Sequence, residues 1–438
     1  MARKMKDSGI EWIGEIPTDF SLYKLKYLLS SPLCYGANES GTLYSDILPR
    51  YIRITDISPN GTLKNSGMLS LDESSAQNYM LHEGDILFAR SGATVGKSFI
   101  YHNYYGRAAY AGYLIKASFN RLVLPEFVYY YTCSSAYEIW KNSIFIQSTI
   151  QNIGADRYSN LPISVPNSID KQLRIVRYLN NFCSKFDAII YNLQTSIEDY
   201  KKLKQAVITQ AVTKGVRGKR EMKDSGVEWI GEIPAEWSIT KIKSGVTKIG
   251  SGKTPSGGAE TYTDSGVIFL RSQNVYDCTL NLESPTYISP EVDATMKSTR
   301  VLPDDVLLNI TGGSIGRCSI VPKTLGLANV NQHVCIIRTN PLIFLPKYMQ
   351  YFWVSTLGHL AIDLYQTGGN REGMSADAIR NTPIPYAPLN EQKEIADYLD
   401  AKCAEIDGLI AKKEQLVKEL ESYKKSLIYE VVTGKREV

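Results

Sequence analysis

The chain has 438 residues, 43% of them hydrophobic, and a formal net charge of +4. This length predicts about two to four folded domains, and the composition excludes a disordered or low-complexity protein. The seven cysteines include no CxxC pair, and the four histidines have no acidic or cysteine partners at ligand spacing. We therefore expect reduced thiols and no metal site. Because the start is polar and no window is apolar enough to span a bilayer, we expect a cytoplasmic protein without a membrane partner.

The first predicted element is a short header, residues 5–17, which recurs as residues 222–234 with one change, Ile10 to Val227. A match of this length predicts that the chain contains two copies of one unit. Two copies in one polypeptide give approximate twofold symmetry. That symmetry suits a ligand that is itself roughly twofold, such as duplex DNA.

A strand, a glycine-rich turn and a second strand are predicted next, at 84–97 in the first copy and 304–317 in the second. Both turns resemble phosphate-binding loops, but the spacing in the first is one residue short. The second has Cys318 where that motif needs a hydroxyl residue. We therefore interpret both segments as tight turns between strands.

Proline-containing exit segments at 161–166 and 382–388 each precede a long helical pattern. Apolar residues spaced by four and three in a strict 3.5-residue period predict two helices that pair as an antiparallel coiled coil. The predicted helix–helix seam consists of Ile175, Leu179, Phe182, Phe186, Ile189, Leu193, Leu203, Ile395, Leu399, Ile406, Leu409, Leu416, Leu420 and Leu427. Antiparallel pairing would return the end of the chain towards the first header, so we expect a pseudo-twofold, nearly circular α+β molecule.

These patterns predict four segments along the chain. Residues 1–167 form a first mixed α/β globule (domain one), and 168–215 form a central spacer helix. Residues 216–388 form a second globule (domain two), and 389–434 form a C-terminal spacer helix. The excess of basic residues lies in 168–220, which favours nucleic acid only weakly because solvated helix faces carry similar charge.

Catalytic motifs are missing. The nearest match to the (N/D)PP(Y/F) motif of adenine methyltransferases, at 340–343, fails it, and the chain has no GxSxG elbow. We therefore expect binding without catalysis.

Polar, flat and basic side chains on predicted turns are the candidate DNA contacts, because Arg reads guanine, Asn and Gln read adenine, and Lys holds phosphate. In domain one they are Tyr35, Asn38, Arg53, Arg90, Ser91, Thr94, Lys97, Tyr113, Gln147, Ser148 and Gln151. In domain two they are Lys253, Thr254, Ser256, Arg271, Gln273, Asn274, Thr311, Ser314, Arg317, Asn331, Gln332, His333, Asn370 and Arg371.

Three motifs occur together. They are a WIGEIP header at Trp12–Pro17 and Trp229–Pro234, a GD(I/V)L-type strand and glycine turn at 84–96 and 304–316, and a helix motif from Gln392 to Asp407. In this combination, which covers nearly the whole chain, the sequence resembles the specificity subunit (HsdS) of Type I restriction–modification systems.

The resemblance implies that the two globules are target recognition domains, each reading one half of a bipartite asymmetric site in double-stranded DNA. It implies that the helices set the spacing between half-sites and dock two methyltransferase (M) subunits. Two restriction (R) subunits complete the complex. Catalysis then belongs to these partners, with S-adenosylmethionine, ATP and Mg²⁺, and this chain needs no cofactor.

The two copies differ where residues 32–38 of domain one stand in place of 250–255 of domain two. We therefore expect the two domains to read different sequences. Two alternatives remain open at this point. One is a nucleotide-binding DNA enzyme that uses a glycine-rich turn, and the other is a coiled-coil adaptor without DNA contact.

Overall fold

The computed structural model describes residues 3–58, 61–146, 152–366 and 373–438. The chain divides into two compact units. Unit 1 combines Met1–Gln194 with Gln415–Val438, and unit 2 is Thr195–Glu414. Both divisions fall inside a long helix, so each unit contains one header, one globular domain and segments of two helices.

The strands of unit 1 are β1 (Met5–Asp7), β2 (Glu15–Pro17), β3 (Phe20–Lys24), β4 (Cys34–Tyr35), β5 (Thr42–Leu43), β6 (Arg50–Ile52), β7 (Leu69–Ser70), β8 (Ile86–Ala89), β9 (Ser98–Ile100), β10 (Ala108–Tyr110), β11 (Leu114–Ala117) and β12 (Pro162–Pro166). Its helices are α1 (Glu73–Ala76), α2 (Pro125–Thr132), α3 (Ser135–Ile146), α4 (Ala155–Ser159) and the first part of α5 (Ile169–Lys214).

The strands of unit 2 are β13 (Met222–Asp224), β14 (Glu232–Pro234), β15 (Ser238–Lys241), β16 (Val246–Ser251), β17 (Tyr262–Thr263), β18 (Val267–Leu270), β19 (Val275–Tyr276), β20 (Thr279–Leu280), β21 (Thr286–Ile288), β22 (Val306–Asn309), β23 (Cys318–Ile320), β24 (Ala328–Val330), β25 (Val334–Thr339) and β26 (Pro383–Tyr386). Its helices are α6 (Pro290–Thr295), α7 (Pro346–Val354), α8 (Thr356–Tyr365), α9 (Ala376–Asn381) and the first part of α10 (Leu389–Val432).

The two units have the same sheet topology. Unit 1 contains a sheet of order β10-β6-β7-β5 and a second of order β4-β11-β8-β9, and unit 2 contains β24-β18-β21-β17 and β16-β25-β22-β23. In each unit the first sheet has one parallel pair, β10 with β6 or β24 with β18, and the second sheet is antiparallel throughout. The headers form the hairpins β1–β2 and β13–β14. The structure therefore confirms the predicted repeat and the mixed α/β globules.

Within each unit the two long helices run antiparallel, as predicted. In unit 1, Lys424 Nζ lies 2.6 Å from Asp187 Oδ1, and the Tyr423 ring lies 5.7 Å from the Phe186 ring. In unit 2, Lys204 Nζ lies 2.6 Å from Asp407 Oδ2. Leu427 and Val431 join the core of unit 1, and Ile208 and Ile395 join that of unit 2.

The predicted seam is wrong at three positions. The side chains of Ile189, Leu203 and Leu416 are 45%, 48% and 43% exposed, whereas Ile190 and Val417 are buried. The buried positions keep the seven-residue spacing, with Cys183, Ile190 and Ile197 in α5 and Cys403, Val417 and Val431 in α10. The heptad period therefore holds, and at these three positions the inward side chain lies one residue further along the helix.

A buried glutamine joins the start of each long helix to its globular domain. Gln172 Oε1 accepts a hydrogen bond from the Leu124 amide at 2.8 Å, and its Nε2 donates to the carbonyls of residues 122 and 166, both at 3.0 Å. Gln392 repeats this with the Leu345 amide at 2.9 Å and the carbonyls of residues 343 and 387 at 2.8 and 2.9 Å. Each glutamine satisfies three backbone groups that would otherwise be unpaired.

No helix within the described residues is long and apolar enough to cross a membrane.

Candidate nucleic-acid interface

Each predicted glycine-rich turn joins two antiparallel strands. Gly92 and Gly96 lie between β8 and β9 with φ of 77° and 82°, and Gly312 and Gly316 lie between β22 and β23 with φ of 75° and 89°. These left-handed conformations explain the glycines. A phosphate-binding loop leads into a helix, whereas both turns lead into a strand. The strand–turn–strand prediction is therefore confirmed.

The second feature common to both domains is a close approach of two backbone segments at a glycine, which we call a glycine crossing. The Gly36 amide donates to the Leu114 carbonyl at 3.2 Å, and the Gly252 amide donates to the Val334 carbonyl at 3.0 Å. A Cβ at Gly36 or Gly252 would lie 2.3 or 2.0 Å from a backbone oxygen, so only glycine fits. Each crossing brings the loop that follows it beside the loop at 111–113 or 331–333.

In domain two, hydrogen bonds link three of these loops. Thr254 Oγ1 donates to Gln332 Oε1 at 2.5 Å, and Gln332 Nε2 lies 2.9 Å from His333 Nε2. His333 Nδ1 in turn lies 2.5 Å from Thr311 Oγ1. Because an amide nitrogen can only donate, His333 Nε2 accepts and its Nδ1 carries the proton given to Thr311. Four predicted residues thus form one connected row of side chains.

The turn at 271–276 joins the same surface. Asn309 Nδ2 donates to the Ser272 carbonyl at 2.8 Å and to Ser314 Oγ at 3.1 Å. The Arg317 guanidinium lies 4.5 Å from the centre of the Tyr276 ring. The structure therefore places Arg271 on a turn beside the glycine-rich turn. The side chains of Lys253, Ser256 and Gln273 are exposed on these loops.

The corresponding surface of domain one has different side chains. The Arg90 guanidinium lies 5.0 Å from the centre of the Tyr35 ring, and the Arg90 amide donates to the Tyr113 carbonyl at 3.1 Å. Tyr113 is 62% exposed. Asn38 occupies the space next to Gly112, where a Cβ would meet its Oδ1. On the glycine-rich turn, Ser91, Thr94 and Lys97 are half-buried.

Three predicted contacts are used by the fold instead. The Arg53 guanidinium donates to the two carboxylate oxygens of Asp56 at 3.1 and 2.8 Å, and this hydrogen bonding raises the pKa of Arg53. Asn274 is buried, with Oδ1 on the Arg271 amide and Nδ2 on the Asn281 carbonyl. Asn331 is buried and accepts from the His333 amide. Asn274 therefore uses both of its amide groups within the fold, and the Arg53 guanidinium is held by Asp56.

Five of the predicted DNA contacts cannot be placed, and three further residues of domain two were not predicted. Gln147, Ser148, Gln151, Asn370 and Arg371 lie outside the described residues. Asn309, which holds two loops together, and Tyr262 and Tyr276, which lie against arginines, were not predicted from the sequence. No signal in the sequence indicates the two tyrosines, because each lies far from its arginine and at a different separation along the chain. Across the described ranges, no cluster of three or more His, Cys, Asp or Glu side chains could hold a metal ion.

The two domains thus carry repeat-related loop surfaces, rich in arginine, amide and tyrosine side chains, on four-stranded sheets of the same order. The family model for the type I restriction modification DNA specificity domain matches residues 44–199 and 234–419. The chain belongs to this family and carries two DNA specificity domains.

The chain is also similar to individual specificity subunits and to a solved structure. The chain is 26% identical over 437 residues to the MjaX specificity subunit of a type I restriction enzyme from Methanocaldococcus jannaschii, covering 97% of this chain and 95% of the relative. It is 24% identical over 216 residues to the EcoKI specificity subunit of Escherichia coli, covering 47% and 44%. One solved structure comes from work on complex assembly and conformational transition of the type I R-M system. It has the same fold, with a TM-score of 0.73 and 15% identity over 96% of this chain and 99% of that chain.

Proposed function

We propose that this chain is the specificity subunit of a Type I restriction–modification complex and that each globular domain reads one half of a bipartite, asymmetric DNA site. The family membership supports DNA specificity. The main structural support is that the two surfaces have the same backbone frame but different exposed side chains, for example Gln332 and His333 where domain one has Gly112 and Tyr113. Identical frames dock on duplex DNA in the same way, and different side chains read different bases.

The helices have a separate role in this proposal. We assign to α5 and α10 the spacing of the two half-sites and the docking of two M subunits, to which two R subunits are added. The catalytic steps belong to those partners, together with S-adenosylmethionine, ATP and Mg²⁺. This assignment is supported by the missing methyltransferase motif in the sequence and by the glycine turns, which lead into strands.

The test is methylation mapping. The chain is co-purified with its M subunits and the complex is incubated with a library containing random sequence. We expect one bipartite site, two half-sites separated by a fixed spacer, and no methylation by this chain without M subunits. Methylation without sequence preference, or a chain that binds no DNA with or without M subunits, would favour the adaptor alternative. Nucleotide-dependent stabilisation of the isolated chain would favour the nucleotide-binding enzyme.

Changing Gln332 to Ala should weaken selection at one half-site only. The expected loss is about 1–3 kcal/mol of base discrimination if the side chain contacts a base directly. Equal loss at both half-sites would show that the loop acts through folding, and a thermal melt of the variant separates that outcome from a loss of reading.

A further inference from the structure

Three arginines on these surfaces lie against tyrosine rings. The distances from guanidinium carbon to ring centre are 5.0 Å for Arg90 with Tyr35, 5.6 Å for Arg271 with Tyr262, and 4.5 Å for Arg317 with Tyr276. No acceptor within the described residues hydrogen-bonds any of the three guanidinium groups, and the Nε atoms of Arg90 and Arg271 are buried without a partner. A ring holds the plane of a guanidinium and leaves its N–H edge available.

The repeat distinguishes contacts common to both domains from those particular to one. Lys97 and Arg317 hold the same position, because their amides close the two glycine turns onto Thr94 and Ser314 at 3.0 and 3.2 Å. Both domains therefore keep a cation here. A contact that is needed whatever the bases are is a contact to the phosphate backbone.

Arg90 has no cationic counterpart. Its amide bonds to the Tyr113 carbonyl as the Ile310 amide bonds to the His333 carbonyl, so the two residues are equivalent. Ile310 is 7% exposed. An arginine in domain one thus replaces a buried isoleucine in domain two, and a common phosphate contact does not account for it.

The counterpart of Arg271 in domain one is Arg53, whose guanidinium is already hydrogen-bonded within the fold. Arg53 and Arg271 begin equivalent turns, with amides donating to Asp56 Oδ2 at 2.8 Å and Asn274 Oδ1 at 2.9 Å. The Asp56 carboxylate also accepts from the Arg53 guanidinium. Asn274 has only an NH2 group left, and this donates to the Asn281 carbonyl at 3.0 Å. Asparagine in place of aspartate therefore leaves Arg271 without an acceptor.

We propose that Arg90 in domain one and Arg271 in domain two each read a guanine, while Lys97 and Arg317 contact phosphate. The residue three positions after the turn arginine, Asp56 or Asn274, decides whether that arginine meets a side-chain acceptor; Arg53 also donates to the Gly67 carbonyl at 2.7 Å. An arginine fork matches the O6 and N7 acceptors of guanine in the major groove. This inference rests on the proposed function and names the base class that its surfaces select.

The experiment uses the complex with M subunits and a methylation library in which both half-sites are randomised. Arg271→Ala and Asn274→Asp should each abolish preference for guanine at the same single position of one half-site, lowering discrimination there roughly 10- to 100-fold. Arg90→Ala should do the same in the other half-site only. Arg271→Lys keeps the charge but removes the fork, so it should also lose the preference.

The matched control is Arg317→Ala. It should lower methylation of all sequences alike and reduce the slope of log affinity against log salt by about one unit. Melting curves confirm that each variant is folded.

Two results would overturn the inference while the proposed function stands. One is a uniform loss across sequences for folded Arg271→Ala and Arg90→Ala, which would make these arginines phosphate contacts. The other is an unchanged guanine preference in Asn274→Asp, which would remove the role of that position. Absence of any sequence preference in the unaltered complex would instead contradict the proposed function itself.

Discussion

Domain one and domain two reach the same strand order with different interiors next to their recognition surfaces. Asp293 in α6 and Ala76 in α1 are equivalent positions. The amide of each donates to the carbonyl of the residue that caps its helix, Ser289 or Asp72. Asp293 is 1% exposed and bonds to Arg300 and Asn329, whereas Ala76 and Ala109 fill the corresponding space in domain one. One frame thus tolerates either an apolar contact or a charged network.

Contacts that both copies share belong to the common backbone frame. The glycine crossings, the glycine turns and the two glutamines recur with the same partners in both copies. The surface side chains and parts of the interior do not recur. Contacts that recur should therefore cost both units equally when removed, and contacts found in one copy should cost that unit alone.

The largest effect is expected at the two buried glutamines, whose contacts recur in both units. Gln392→Leu leaves the Leu345 amide and two carbonyls unpaired, so the free energy of unfolding of unit 2 should fall by about 3 kcal/mol. Gln172→Leu should destabilise unit 1 by a similar amount. Hydrogen exchange resolved by unit gives the measurement, with Lys393→Leu, on the exposed side of α10, as the control. Unequal losses would show that the two junctions are not equivalent.

A smaller effect should be confined to unit 2. Asp293→Asn removes the carboxylate from Arg300, a partly exposed cation, and should cost about 2 kcal/mol of unfolding free energy. Glu73→Gln, which breaks the exposed pair with Arg107 in domain one, should cost less than about 0.5 kcal/mol. Chemical denaturation followed by exchange labelling would measure both. Loss of protection in domain one on Asp293→Asn would show that the effect of this network is not confined to unit 2.

Lowering the pH should destabilise the Asp293 network of domain two before the apolar contact around Ala76 in domain one. Burial raises the pKa of Asp293, but hydrogen bonds from Arg300 and Asn329 outweigh it and hold this pKa below its usual value. A depressed folded pKa means that the stabilisation is complete above the unfolded value of about 4 and is lost as pH falls through the folded value. Pulse labelling between pH 7 and pH 3 should show residues 290–299 opening before residues 73–79. The reverse order would contradict the assignment.

The smallest effect concerns the two helix-to-helix ion pairs. Lys204 with Asp407 and Lys424 with Asp187 are repeat-related, and both carboxylates are about half exposed. Double-mutant cycles should give coupling energies of about 0.5 kcal/mol for each pair. Couplings that differ by more than about 1 kcal/mol would show that the helices are held differently in the two units.

Much of the frame could be predicted because the repeat and the glycine and proline residues constrain the backbone directly. The parallel pair in each first sheet could not, since it joins strands far apart in sequence. The seam was misplaced at Ile189 and Leu416 because each has an apolar neighbour, Ile190 or Val417, and composition cannot decide which of two adjacent apolar residues faces inward. The pattern Arg-x-x-Asp against Arg-x-x-Asn was readable, but only the structure shows that it ties down Arg53 and leaves Arg271 without an acceptor.

The division of the chain also bears on how the protein is made. Unit 2 is one continuous stretch, Thr195–Glu414, whereas unit 1 needs Gln415–Val438, which is translated after unit 2. Until Leu427 and Val431 emerge, the core that they share with Ile175 and Leu179 is incomplete. The domain translated first therefore finishes folding after the one translated second, and the nascent chain passes through a stage with one completed globule and one open core, the stage at which a chaperone would be needed.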